Sequence, residues 1–210
     1  MKLAPTVVDI FQVLGESPQV LTEVLQDGVN LAVWQRRLPA QLEDFSTVLL
    51  SLGQLLSDER VIEVDEQETP VLPGLLPGAA DLHGYESFVA DVSWLVAAYT
   101  CLVGARRVGL RLRVLEGAMC PRFHVDKVAL RLLTTYSGAG SEWLKEGDVD
   151  RLRLQQVQPP VDKVQRLQAG DVAVLKGERW LGNEGAGVVH RSPLTAAGQR
   201  RLLLSLDWLA

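Results

Sequence analysis

Val108-Gly109-Leu110-Arg111-Leu112-Arg113-Val114-Leu115 is where the chain changes its period. Up to about Ala105 apolar residues recur at helical spacing. From Val108 they alternate with glycine and arginine, the two-residue repeat of a strand whose faces differ in polarity. The extended character persists to the end of the chain. Phe123 to Tyr136 reads as a second, longer strand, and a turn at Ser137-Gly138-Ala139-Gly140 follows it. Beyond a polar segment with Pro159-Pro160, short apolar runs at Asp171–Leu175, Gly187–His190 and Arg200–Leu206 complete the set. Several short strands with turns and no intervening helix predict an antiparallel barrel or sandwich over residues 106–210.

Upstream the pattern is mixed, with helix dominating. Ser17-Pro18 caps a helical stretch to Leu25, and Asn30-Leu31-Ala32-Val33-Trp34 reads as a short strand. Pro39 opens a helix to about Leu56, and Asp81 to Ala105 forms a long one. Between them, residues 58–80 carry the acids Asp58, Glu59, Glu63, Asp65, Glu66 and Glu68, then Pro70, Pro73 and Pro77, which reads as a connector or surface loop. The expected fold class is therefore α+β. A mainly helical part over 1–105 packs on a β core over 106–210, in one compact unit.

Composition narrows the functions. With 210 residues, 47% of them hydrophobic and 22% charged, the chain can bury a sizeable core. Twenty-six acidic against twenty-one basic side chains give a formal net charge of −5, which argues against nonspecific nucleic-acid binding. The two cysteines, Cys101 and Cys120, are too few for a disulfide framework and fit a reducing cytoplasm. Asp9 and Gln12 interrupt the apolar stretch after Met1-Lys2-Leu3, so no secretory signal is expected. The uncharged run Val92 to Ala105 is shorter than the roughly 20 residues a bilayer needs, so no membrane span is expected either. GxSxG, GxxxxGK[ST] and GxGxxG motifs are absent, which demotes serine hydrolases, P-loop enzymes and dinucleotide-binding folds.

The chemistry concentrates in His124-Val125-Asp126. In an extended stretch, residues two apart emerge on one face, so the imidazole and carboxylate can share one metal ion. His190, at the end of a predicted strand, is the natural third ligand. Two imidazoles and one carboxylate on one face of an octahedron leave three positions open, as in non-heme Fe(II) oxygenases. Beyond it stand Arg200 and Arg201. Parity puts Arg200 with Leu202, Leu204 and Leu206, and Arg201 with Leu203, Ser205 and Asp207. The all-leucine face is read as the barrel interior, so Arg200 is expected inside, where a buried guanidinium needs an anion such as a ligand carboxylate.

His124-x-Asp126, His190-Arg191-Ser192-Pro193 and Gly198-Gln199-Arg200 resemble the signature of Fe(II)/2-oxoglutarate-dependent dioxygenases, in particular the prolyl-hydroxylase-like branch. The resemblance covers about Leu110 to Trp208. It implies a double-stranded β-helix of the jelly-roll or cupin kind, with His124, Asp126 and His190 as iron ligands. It also implies Arg200 on the distal carboxylate of 2-oxoglutarate, with Thr134 or Tyr136 adding a hydroxyl. More narrowly, Met119-Cys120-Pro121-Arg122-Phe123-His124-Val125-Asp126 and Gly140-Ser141-Glu142-Trp143-Leu144 are similar to an uncharacterised bacterial family of unknown function. That likeness runs from Asn30 to the C-terminus. Its members often sit beside genes for zinc-handling GTPases, which implies a functional link to such a GTPase.

The remaining candidates carry two readings each. Glu142, Trp143 and Trp180 could line a substrate pocket, with the loop from Gly177 to Gly185 as a lid; core packing and a hairpin turn explain them nearly as well. Cys120 is a buried inert thiol or a fourth ligand that turns the site toward zinc. His83 reads as a surface or capping residue. The expected function is thus an Fe(II)/2-oxoglutarate oxygenase of the hydroxylase kind. The alternative is a noncatalytic zinc-binding protein of bacterial zinc homeostasis.

Overall fold

The computed structural model describes residues 9–65, 69–154 and 159–209. Met1 to Leu3 and, from the acidic run, Glu66 and Glu68 lie outside the described residues. The strands are β1 (Phe11–Gly15), β2 (Val29–Trp34), β3 (Ser57–Glu63), β4 (Arg107–Glu116), β5 (Leu130–Ser137), β6 (Glu142–Leu144), β7 (Val164–Arg166), β8 (Val172–Lys176), β9 (His190–Arg191) and β10 (Arg200–Leu209). The helices are α1 (Ala40–Ser51) and α2 (Tyr85–Val103). A seven-stranded sheet runs in the order β1-β2-β8-β5-β10-β4-β3, antiparallel except for β1 beside β2. A three-stranded sheet, β7-β6-β9, is its smaller companion.

Two apolar clusters show how the layers stack. Leu110, Leu112, Leu132, Val174, Leu202, Leu204 and Leu206 join Phe45, Leu49, Phe88, Val92, Leu95 and Tyr99 in one cluster, so α1 and α2 cover one face of the large sheet. Leu31, Val33, Leu133, Ala173 and Leu175 join Trp143 and Val188 in another, so the small sheet covers part of the opposite face. The interior strand β8 is buried at all five positions because it is covered on both sides. By length and composition α2 could cross a bilayer, but Phe88, Val92, Leu95, Val96 and Tyr99 are buried in the cluster shared with the sheet. Gly104 ends it at φ 62, a left-handed conformation that glycine adopts without steric cost.

Four expectations need correction. The first 105 residues do carry more helix than strand, but they are not a layer apart from the β core, because β1, β2 and β3 all belong to the large sheet. The stretch from Pro18 to Leu25 is a 3-10 helix. The acidic segment after Asp58 opens as the edge strand β3, not a loop. Its Glu59 carboxylate accepts bonds from Arg111 and Arg113 of β4, so cross-strand charge pairs support the pairing where hydrophobic alternation is weak. Finally, Phe123 to Tyr136 is not one strand. His124 makes an isolated bridge to His190, and β5 begins only at Leu130.

Candidate metal centre

The bridge between His124 and His190 uses both backbone bonds, each N–H donating to the other's carbonyl at 3.0 Å. It sets the two imidazoles side by side, with ring centroids 4.6 Å apart. His124 Nδ1 lies 2.9 Å from the Arg122 carbonyl and His190 Nδ1 3.1 Å from that of Val188. A carbonyl only accepts, so each Nδ1 carries the proton and each Nε2 is left as a lone pair. Both Nε2 atoms point at Asp126, at 3.6 Å from Oδ1 for His124 and 3.4 Å from Oδ2 for His190. One ligand atom from each of the three residues lies within 4.8 Å of the others. Two lone pairs and a carboxylate converging in this way repel one another unless a metal ion or a proton sits among them.

Asp126 is held from behind. Gly177, just after β8, donates to Ala129 O, and Glu178 donates to Asp126 O at 2.9 Å. A Cβ at Gly177 would lie 2.2 Å from Val128 O and 2.6 Å from Asp126 O, so only glycine permits this approach. The Asp126 side chain accepts from Arg131 Nη1 at 2.6 Å. Arg131 also grips Asp207 with Nε at 2.6 Å and Nη2 at 3.0 Å, and Asp207 accepts from Arg111 as well. Burial opposes charge on Asp126. When no metal is bound and the imidazoles also carry a proton on Nε2, those N–H groups face Asp126, and with the nearby Arg131 charge they hold its carboxyl well below the usual carboxylate range. The Asp126 carboxylate in turn raises the pKa of His124, against burial.

Beside the two imidazoles lies a cavity of about 340 Å³. Its walls include Leu133, Ser192, Leu203, Ser205 and five arginines, at 111, 113, 131, 191 and 201. Arg201 is 2% exposed. Its Nη2 donates to Ser192 Oγ at 3.1 Å, whereas Nε and Nη1 have no partner. Burial without a counter-charge lowers its pKa to about 10.

Arg200, the expected arginine, is elsewhere: it pairs with Glu116 at 2.9 Å at the end of the ladder. The parity grouping holds, but the faces are exchanged. The leucine face of β10 lies under the helices, and the face of Arg201, Leu203 and Ser205 lines the cavity. Thr134 and Tyr136 fall on the helix side for a related reason. The break between His124 and β5 cancels the parity that linked them to the metal motif. Tyr136 OH donates to Asp91 of α2 at 2.6 Å, in a cluster where Arg36 makes a paired bridge to the same carboxylate. Thr134 is buried with its hydroxyl unpaired.

None of the three substrate-pocket candidates lines this cavity. Glu142 is buried between Arg166 and Arg191. Trp143 packs in the cluster between the sheets. Trp180 lies tilted against Trp208, with ring centroids 6.2 Å apart. The segment after Gly177 braces the backbone of Asp126, and none of its residues lines the cavity. Cys120 lines the cavity but is not gathered with the three ligand atoms, and it is exposed rather than buried. His83 is exposed, ahead of α2. Sequence reasoning missed Arg131, although its alternation in Leu130-Arg131-Leu132-Leu133 was a signal that a charge points into the sandwich.

This fold is shared with oxygenases. Dioxygenase for auxin oxidation 1 from Arabidopsis thaliana, solved as a complex with 2-oxoglutarate, superposes with a TM-score of 0.55 at 10% identity, over 96% of this chain and 92% of that one. A Shewanella oneidensis protein assigned as an oxygenase gives 0.52 at 11% identity, over 95% and 89%. At such identities the likeness establishes the fold. By sequence the chain belongs to the family described as Protein of unknown function (DUF1826), whose model matches residues 15–207. Among curated proteins, none matches it by sequence.

Proposed function

We propose that this protein is an Fe(II)- and 2-oxoglutarate-dependent oxygenase on a double-stranded β-helix core, with His124, Asp126 and His190 as metal ligands. One observation carries the reading: two Nε2 atoms and a carboxylate converge at the side of a cavity that His124 and His190 line together with a buried guanidinium whose Nε and Nη1 are unpaired. Both groups fit these residues. Two imidazoles and a carboxylate suit Fe(II) and leave further positions open, and Arg201 suits the distal carboxylate of 2-oxoglutarate, in place of Arg200. When bound, the metal with 2-oxoglutarate and O2 supplies oxidative decarboxylation and an oxidant for a C–H bond.

The chain's own residues do the positioning. Carbonyls of Arg122 and Val188 fix the imidazole tautomers. Arg131 holds Asp126 against rotation. Arg201 fixes the co-substrate, and Leu133 and Leu203 give the cavity apolar wall that excludes water. The fold likeness supports the general kind of chemistry, and the site residues support its specifics.

The test is an anaerobic titration of metal-free protein with Fe(II) and then 2-oxoglutarate, followed by the visible charge-transfer band. The band is expected for the wild type and for Arg200→Ala, and is expected to be lost or weakened at least tenfold in Arg201→Ala. No band with tight zinc binding would favour a noncatalytic zinc protein, the context in which a link to a zinc-handling GTPase would belong. In that case Cys120→Ala should lower zinc affinity.

A further inference from the structure

We infer that the substrate is a small molecule bearing an oxyanion group, carboxylate or phosphate, and that Arg111 and Arg113 receive it; this rests on the reading that metal and 2-oxoglutarate fill the inner part of the cavity. The chain carries a net charge of −5, yet five arginines line this one cavity and none of its lining side chains is acidic. Arg111, Arg113, Arg131 and Arg201 have three carboxylates among them, Glu59, Asp126 and Asp207. A divalent metal and 2-oxoglutarate cancel each other's charge, so the excess positive charge is left for a further ligand. An enclosed surface of one sign concentrates its field on such a ligand.

Position separates this pair from Arg201. Arg113 pairs across from Leu203 and Arg111 from Ser205, so both side chains share the inner face of the large sheet. They stand on β4, next to the edge strand, and their side chains are 30% and 35% exposed, within reach of an entering molecule. Arg113 makes one bond, from Nη2 to Glu59, and its Nε and Nη1 have no protein partner among the described residues. Glu59 holds one donor of each guanidinium and Asp207 takes Nη1 of Arg111, so Nη2 of Arg111 together with Nε and Nη1 of Arg113 are the donors left for an oxyanion. The cavity's volume of about 340 Å³ is shared with the metal and 2-oxoglutarate, so what is left admits only a small group or molecule.

Inorganic phosphate and acetate are the probes, titrated by calorimetry into the full chain, first metal-free and then holding Fe(II) and 2-oxoglutarate under argon. A saturable site should persist in the loaded protein and weaken at least tenfold in Arg113→Gln. The midpoint of the Fe(II)–2-oxoglutarate band should not move in that variant. Glu59→Gln, which frees donors on both arginines, should tighten phosphate two- to threefold, a gain that a merely structural role would not give. Stronger phosphate than acetate binding marks a phosphoester substrate; the reverse marks a carboxylate. The inference is overturned if neither anion saturates, or if 2-oxoglutarate displaces phosphate and Arg113→Gln weakens 2-oxoglutarate instead. Phosphate binding without any visible band would sink the oxygenase reading and leave the anion site standing.

Discussion

The two faces of β10 and β4 have opposite chemistry although they alternate residue by residue. Toward the helices stand Leu202, Leu204 and Leu206 with Leu110 and Leu112, all fully buried. Toward the small sheet stand Arg201, Ser205 and Asp207 with Arg111 and Arg113. The helix face gains from removing apolar area from water, in proportion to the area buried. The cavity face works against stability at Arg201, because a guanidinium out of water without a counter-charge raises the energy of the folded state. Adjacent residues of one strand thus divide the work: one set holds the sheet to its helices, and the other keeps charges out of water where, on the proposed reading, a ligand would meet them.

The largest effect that would break this comparison is at its centre. On the proposed reading, Arg201→Leu should lower 2-oxoglutarate affinity by about 100-fold or more, while chemical denaturation of the ligand-free chain gains about 1–3 kcal/mol. Leu204→Ala should do the reverse, costing about 2–5 kcal/mol with metal affinity of the folded protein unchanged. A loss of stability in Arg201→Leu would mean that the guanidinium has a partner in the free protein. Next in size, Arg131→Met removes the support of Asp126 and should weaken metal binding by about 10–100-fold, measured by competition with a chelator.

Smaller effects sharpen the contrast. Arg200→Ala breaks a half-exposed pair with Glu116 and should change stability by less than about 1 kcal/mol, with 2-oxoglutarate affinity intact. The last prediction concerns acid. Asp126 is held below its ordinary value, so the stability it contributes is present above about pH 4 and is lost as pH falls toward the folded-state value. In metal-free protein, Asp126→Asn should therefore flatten the decline of stability below about pH 4; an unchanged slope would mean that other carboxylates govern it.

Some of this was legible from the chain. The strand runs from Val108 and Arg200, the helix after Asp81 and the pairing of His124 with Asp126 as candidate ligands follow from period and spacing, because those depend on residues close in sequence. The strand β3 was hidden because its outward residues are charged, and the pairing of Glu59 with Arg111 and Arg113 joins parts of the chain far apart in sequence. Arg200 was preferred because an all-leucine face looks like an interior. It is an interior, but that of the helix-covered side.

What the sequence determined by itself was the alternation: which residues of β10 share a face, and which histidines and carboxylate suit a metal. Only the tertiary structure decided which face meets the cavity. Parity is a local property of the backbone, whereas the layer lying over each face depends on where α1, α2 and β6 pack, and that follows from contacts no spacing records. The same holds for Asp126, whose orientation relies on the close approach of Gly177 and on the hydrogen bonds of Arg131 to two carboxylates from different parts of the chain.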